Sequence, residues 1–395
     1  MGAGLAGLET YSISREDELH WLALTLIPGL GTRTAGKLLG RFRTPQAVFR
    51  ASRTELEAAG VKGSVAQSIA SGCSFEDAVD QQHKMAERGT VAITLSDPRY
   101  PALLREIFDP PVLLFARGRL ELLQPFHFAV VGTRRPTTYG MAVAERMSAD
   151  LVRAGLTIVS GMARGIDTAA HKGALSAGGD TVAVLGCGVD VVYPSENRKL
   201  AADLAAKGLI LSEFAMGSTA FPQNFPVRNR IISGFSCGIL VVEGAQYSGS
   251  AITAKLALDQ GREVFAVPGN VTSKASWGPN LLIKQGAKLV QDWNDVIVEL
   301  PPEVRRQLIE RGRSRLLGSG VASGEIAQSS STEGSLPEIG RRVLATLQVD
   351  TAIHLDDLLQ ILEDSSASEM IAALFELEML GLVKQLPGKN FVKVW

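Results

Sequence analysis

Four glycine-bearing turns, each closing an apolar run, hold the residues of this chain that could do chemistry. They are Val131-Gly132-Thr133-Arg134-Arg135, Ser160-Gly161-Met162-Ala163-Arg164-Gly165-Ile166-Asp167, Leu185-Gly186-Cys187-Gly188 and Val242-Glu243-Gly244-Ala245. A short β-rich run that ends in glycine and leads into a helix is how a parallel sheet presents backbone amides to an anion. Two of the turns also carry arginines, and a basic stretch, Asn224-Phe225-Pro226-Val227-Arg228-Asn229-Arg230, lies between the third and the fourth. Amides together with fixed positive charge on one sheet edge predict a phosphate-rich ligand, either a nucleotide or a nucleic-acid strand.

Each residue has a second reading. Gly132 bends the chain at the end of the first core strand, so Thr133, Arg134 and Arg135 stand where a ligand meets the carboxyl ends of the strands. The alternative is an arginine that pairs with a neighbouring carboxylate. Gly161 and Arg164 belong to a second glycine loop, whose Asp167 is expected to cap a helix start. His171 shares a helix face with Asp167, four residues on. An Asp-His pair invites a catalytic reading, but no Ser or Cys nucleophile stands at a recognisable spacing, so no catalytic residue is assigned. Lys172, beside His171, is within reach of phosphate. Pro226 and Arg228 open a helix whose first amides are free, with Asn224 before them, and Phe225 either stacks on a base or fills a core. Ser248, Gly249 and Ser250 follow the last turn, where the hydroxyls donate to phosphate or cap the next helix. Glu243 is read as ordering a nearby basic or amide group.

The elements that must position these residues follow a regular pattern. Strands are expected near 128–131, 157–160, 181–185, 209–212, 239–242, 263–267 and 287–290. Helices are expected near 140–153, 166–176, 196–206, 229–235, 250–260 and 279–285. This alternation predicts an α/β fold with a doubly wound parallel sheet. Runs such as Val182-Ala183-Val184-Leu185 are continuously apolar, as strands covered on both faces are. Two further strand-like runs, Val91–Leu95 and Val112–Ala116, begin this domain, which is expected over 89–300.

Residues 1–88 are expected to form a small helical domain. Its Ile27-Pro28-Gly29-Leu30-Gly31 hairpin resembles the helix-hairpin-helix element, or else only turns the chain. Gly31-x-x-x-x-Gly36-Lys37 mimics a phosphate-binding P-loop but ends in Leu38, which has no hydroxyl for Mg²⁺. A basic helix candidate, Arg305–Leu317, opens the stretch 301–335, and the Ser/Gly-rich Gly318–Ser335 reads as a linker. Residues 336–395 read as three helices and a hairpin tipped by Pro387-Gly388, the layout of a winged helix. Its third helix carries Glu369, Glu376 and Glu378 and no Lys or Arg, which favours a protein-interaction or regulatory module over a DNA-reading one.

The bulk numbers exclude some classes. The 395 residues are too many for one compact core. Forty Lys and Arg against 41 Asp and Glu leave a formal charge of -1, which argues against coating of nucleic acid by a basic tail but not against a local basic groove. Cys73, Cys187 and Cys237 are far apart and make neither a disulfide framework nor a zinc site, so no metal and no cofactor is expected. No apolar stretch reaches membrane-spanning length, and the reading is a soluble, cytoplasmic protein without a membrane partner.

Several stretches, in order, resemble the DNA-processing protein A family (DprA, also called Smf). They are Val131–Pro136, Ser160–His171, Ala183–Glu196, Ser212-Glu213, Phe225–Ser233, Val242–Thr253 and Val264–Gly269. The resemblance implies an extended Rossmann domain that binds single-stranded DNA, forms a homodimer and helps load the RecA recombinase in natural transformation, without catalysis. By the family pattern, Arg134 is the arginine of a glycine–serine–arginine turn in which Thr133 replaces serine. Arg228 and Arg230 occupy an Arg-Asn-Arg motif. A lysine that some members carry is Pro222 here, with Lys172, Arg164 or Lys255 as candidates to compensate. The family's dimer region corresponds to 278–287, with Leu281, Leu282 and Ile283 at the interface. The rival class is a nucleotide-processing enzyme similar to cytokinin-activating phosphoribohydrolases. Those enzymes place acidic groups where this chain has Ala254 and Lys255, which argues for binding over hydrolysis.

Overall fold

The computed structural model describes residues 13–124, 126–246 and 248–308. It also describes 338–393 apart from 348–351, 363–365, 367–368, 372, 375–376, 378–381, 387 and 389. The expected linker 318–335 and residues 309–317 of the expected basic helix lie outside the described residues. The chain divides into two compact units, Met1–Gly320 and Val321–Trp395.

Six helices come first: α1 (Arg15–Thr25), α2 (Thr32–Phe42), α3 (Pro45–Arg50), α4 (Arg53–Ala58), α5 (Gly63–Ser71) and α6 (Phe75–Arg88). Their ends follow local chemistry. The Ser14 hydroxyl accepts from the Asp17 amide at 3.0 Å, and Ser52 and Glu55 form a reciprocal capping box. The P-loop-like stretch is helical: Gly31 caps α2, while Gly36 and Lys37 lie inside it. These helices were expected to stand as a domain of their own. Instead Trp21, Leu22, Leu38 and Ile69 share one continuous core with Leu113, Leu204 and Ile210 of the following α/β layer. The Gln81 side chain also accepts from the Met216 amide at 2.8 Å.

The sheet has nine strands in the order β1-β2-β6-β5-β4-β3-β7-β8-β9. They are β1 (Val91–Thr94), β2 (Leu113–Gly118), β3 (His127–Val131), β4 (Thr157–Ser160), β5 (Thr181–Val184), β6 (Leu209–Ser212), β7 (Gly238–Val241), β8 (Glu263–Ala266) and β9 (Lys288–Leu289). All seven strands expected from the alternation are present. β3 through β9 pair in parallel, whereas β2 runs antiparallel to both β1 and β6, so the sheet is mixed at that edge. The crossover helices are α8 (Thr138–Arg153), α9 (Ile166–Ser176), α10 (Arg198–Lys207), α11 (Asn224–Phe235), α12 (Gly249–Asp259) and α13 (Trp277–Lys284), with a short α7 (Ala102–Arg105) before β2 and α14 (Trp293–Glu299) after β9. Alternate residues of one strand serve opposite cores. Ala129 and Val131 pack with Ile231 and Ile232, while Phe128 and Val130 pack with Leu151 and Ala170.

Strand order decides where a ligand can sit. The chain lays down β3, β4, β5 and β6 in one direction, then returns to place β7, β8 and β9 on the other side of β3. The crevice outside the carboxyl ends of β3 and β7 is therefore the topological switch point, the usual ligand site of open α/β sheets.

In the second unit, helices Glu338–Thr346 and Leu355–Ile361 precede β11 (Val383–Leu386) and β12 (Asn390–Lys393), an antiparallel hairpin. Gly388 has a φ of +81° at the tip. A short strand absent from the expectation, β10 (Ile353–His354), pairs with β12. Val343, Leu358, Leu374 and Phe391 close its core.

Candidate nucleic-acid interface

A groove of about 390 Å³ occupies the switch point. The turn after β3 supplies Gly132, Thr133 and Arg134. The first turns of α11 supply Phe225 and Arg228, and the start of α12 supplies Ser248, Gly249 and Ser250. Eight of the residues singled out in the sequence thus meet at one place.

Phe225 is the centre of the groove. It is half-buried, and the exposed Arg134 guanidinium lies 4.9 Å from its ring centre. The Arg228 guanidinium lies 5.9 Å from the same ring. Tyr193, also exposed, stacks beside it with ring centres 5.4 Å apart and planes tilted by 33°. Two aromatic faces and a solvent-facing arginine form a surface for a flat, electron-rich ring next to a phosphate. The sequence alone does not mark Tyr193 as a site residue. It stands within the Ala183–Glu196 stretch, but its contact with Phe225 joins the β5–α10 connection to α11, which no local pattern reveals.

The structure gives Arg228 a different task from the one expected. It is 3% exposed. Its Nη1 donates to the Gly161 carbonyl at 2.8 Å and to the Val184 carbonyl, tying the ends of β4 and β5 together. A Cβ at Gly161 would run into the guanidinium and displace it. Burial brings the Arg228 guanidinium down to about 10, so it stays charged at neutral pH. Arg230 leaves the groove altogether. Buried on the other side of α11, it is paired with Glu213 at 2.5 Å and Asp109 at 3.1 Å. The side chains of residues 228 and 230 take up different faces of the helix, a consequence of its 3.6-residue period.

The glycine turns also give up several of their amides internally. The Asp167 carboxylate is buried and accepts from the Gly161 amide at 3.1 Å and the Ala163 amide at 3.4 Å, which closes the second loop on itself. It is therefore a loop clamp, with Gly165 as the helix cap. Burial raises its carboxyl above the usual range, against the pull of Arg228 and those two amides. The Thr133 amide donates to the Glu243 carbonyl at 2.7 Å, the Gly188 amide to Ser218 at 2.9 Å and the Gly244 amide to Ala275 at 2.6 Å. The α12 start is different. Ser248 caps it and shares a 2.8 Å hydroxyl contact with Ser250, and the Gly249 and Ser250 amides have no partner among the described residues. Of the sequence-expected phosphate cradle, this helix terminus lines the groove with these two amides unspent among the described residues.

The other expected residues lie around the groove rather than in it. Arg135 is exposed beyond its edge, and Lys172 is exposed on α9. Arg164, 62% exposed at its side chain, pairs with Glu196. Asn224 donates to the Gly186 carbonyl at 3.0 Å and fixes the start of α11. Glu243 is buried and accepts from the Thr137 hydroxyl at 2.6 Å and the Thr137 amide at 2.8 Å, so it orders the start of α8. His171 is not paired with Asp167. Its Nδ1 meets the Thr181 hydroxyl at 2.7 Å, and that hydroxyl donates to the Ile158 carbonyl, so the hydroxyl accepts from Nδ1–H. Nε2 is then a bare, buried lone pair, and burial holds the imidazole down at about 3. Leu281, Leu282 and Ile283 sit on α13, each half-buried; none of them lines the groove, and Trp277 on the same helix is exposed. Among the described residues, no helix is long and apolar enough to cross a membrane, and no His, Cys, Asp and Glu cluster could hold a metal ion.

Comparison with known proteins adds a family. Residues 91–301 match the model for DNA recombination-mediator protein A, and residues 327–389 match the DprA winged helix domain. The chain is 32% identical over 400 residues to protein Smf of Synechocystis, covering 96% of this chain and 99% of that protein. It is 44% identical over 216 residues to DNA processing protein DprA of Bacillus subtilis, covering 54% of this chain and 73% of the relative. The X-ray structure of DNA processing protein A from Streptococcus pneumoniae superposes with a TM-score of 0.61 at 34% identity, covering 74% of this chain and 99% of that one.

Proposed function

The chain belongs to the DNA recombination-mediator protein A family, and from that premise we propose that its switch-point groove binds single-stranded DNA without catalysis. The observation that carries this reading is the Phe225 ring, flanked by Tyr193 and overlain by the exposed Arg134 guanidinium, at the mouth of a narrow crevice. A base stacks on the aromatic face while the neighbouring phosphate meets Arg134 and the free amides of Gly249 and Ser250. A duplex keeps its bases stacked and cannot lend one to Phe225. A single strand folds into the crevice. Sequence preference is slight, because every base has a π-face and phosphates carry no sequence information.

The wider role is the one that the family resemblance implies. A dimer held through α13 presents two grooves to one strand, protects it and hands it to the RecA recombinase during natural transformation, in the cytoplasm. Binding rather than hydrolysis fits the site's chemistry, since Asp167, Glu243 and His171 are each committed to structural partners. Fluorescence anisotropy with a labelled single strand and the duplex of the same length tests the reading. Tighter binding of the single strand supports it. Equal binding of both, or release of free base from nucleoside monophosphates, overturns it.

A further inference from the structure

A second cavity, of about 650 Å³, opens between the 106–109 loop and helices α11 and α12. Pro226 borders both this cleft and the groove, yet the chemistry of the two is opposite. Glu106, Asp109 and Asp259 stand around the cleft, and the charge of Arg230 is already taken up by Asp109 and Glu213. That leaves Arg262, whose Nη2 donates to the Leu103 carbonyl at 2.8 Å. The wall is therefore net acidic. Phe108 projects from its lip, 76% exposed, with the Arg33 guanidinium 4.3 Å from its ring centre. Arg33 shows that this ring accepts a guanidinium against its face.

Three side chains of the cleft hold a buried polar atom without a hydrogen-bond partner among the described residues: Arg230 Nη1, Arg262 Nε and Gln260 Oε1. Each such atom costs about 1–3 kcal/mol when left unpaired, and such groups are rare in native proteins. Each of these atoms is buried, so a ligand in the cleft meets the exposed groups around them. The carboxylates complement basic side chains, and Phe108 with Leu256 offers apolar contact between them.

We propose that this cleft docks an extended, lysine- or arginine-bearing segment of a protein partner. The site is separate from the groove and does not depend on the groove's reading. The test uses the full-length protein and a fluorescein-labelled heptapeptide of alternating lysine and leucine, with a glutamate–leucine peptide as its counterpart. The basic peptide binds and the acidic one does not. Replacing the two exposed carboxylates together, Glu106→Gln with Asp259→Asn, weakens the basic peptide about tenfold, and Phe108→Ala also weakens it, whereas Arg134→Ala leaves it unchanged. Single-strand affinity of the carboxylate variant, read on the same samples, keeps failure of this proposal distinct from failure of the groove reading. The proposal is overturned if the basic peptide does not bind, if it binds the carboxylate variant equally well, or if spermidine displaces it at matched charge concentration. That last outcome would make the cleft a site for free polyamines.

Discussion

Three arginines and one histidine define the residue scale, and their environments predict different outcomes for similar substitutions. Arg134 faces solvent over Phe225, so Arg134→Ala should change unfolding free energy by no more than about 0.5 kcal/mol. Arg228→Ala strands the Gly161 and Val184 carbonyls, at about 1–3 kcal/mol for each buried group left unpaired. Arg230→Ala leaves Glu213 buried without its cation, a loss of about 3–5 kcal/mol. Urea denaturation of the three variants checks that Arg134→Ala is the mildest by far, and an Arg230→Ala protein as stable as the parent would show that the ion pairs do not form. His171 predicts a pH dependence. Its imidazole titrates near 6.5 when unfolded and at about 3 when folded, so below pH 6.5 the unfolded chain binds the extra proton. Its contribution is fully present above pH 6.5 and is lost as pH falls, by up to about 1.4 kcal/mol per unit. The raised Asp167 carboxyl acts in the opposite sense and is common to parent and variant, so the two proteins are compared over the window from pH 6.5 to 5. Denaturation midpoints of His171→Gln should fall less over that window than those of the parent, and parallel curves would contradict the assignment.

At the scale of elements, the strands were legible because both cores write themselves into continuous apolar runs such as Val182–Leu185. The groove's location was legible too, since the glycine turns with arginines at 132–135 and 161–165 follow strand carboxyl ends. What sequence order cannot show is which way a side chain leaves its helix. Arg228 and Arg230 read as one basic motif, yet α11 turns one into the strand-end carbonyls and the other into an ion pair beyond the groove. Nor can it show that Asp167 spends the second loop's amides. Helix α13 carries the element-scale prediction. Leu282 packs on the core while Ile283 is half-buried, and Trp277 at the start of the helix is exposed. If α13 joins two copies about a two-fold axis, Ile283→Glu yields monomers by light scattering with little change in fold. Leu282→Glu yields monomers and also lowers stability. An unchanged mass for both variants would place the interface elsewhere.

For the whole molecule, the two compact units separate at Gly320. The groove lies wholly in the first, so a chain ending at Gly320 should keep its single-strand affinity within about threefold. A tenfold loss, about 1.4 kcal/mol, would assign DNA contact to the winged-helix unit. A net charge of -1 means that any affinity for an anionic strand must come from local charge. Salt therefore measures the central claim most directly. Anisotropy titrations of a labelled single strand at several salt concentrations should give a linear log–log plot. Each phosphate neutralised adds about 0.7 to the magnitude of its slope. Arg134→Ala should weaken binding and flatten the slope by about that amount. Phe225→Ala should cost about 1–3 kcal/mol and leave the slope unchanged, because stacking releases no counterions. If both variants bind with the parent's affinity and slope, single-stranded DNA does not occupy this groove.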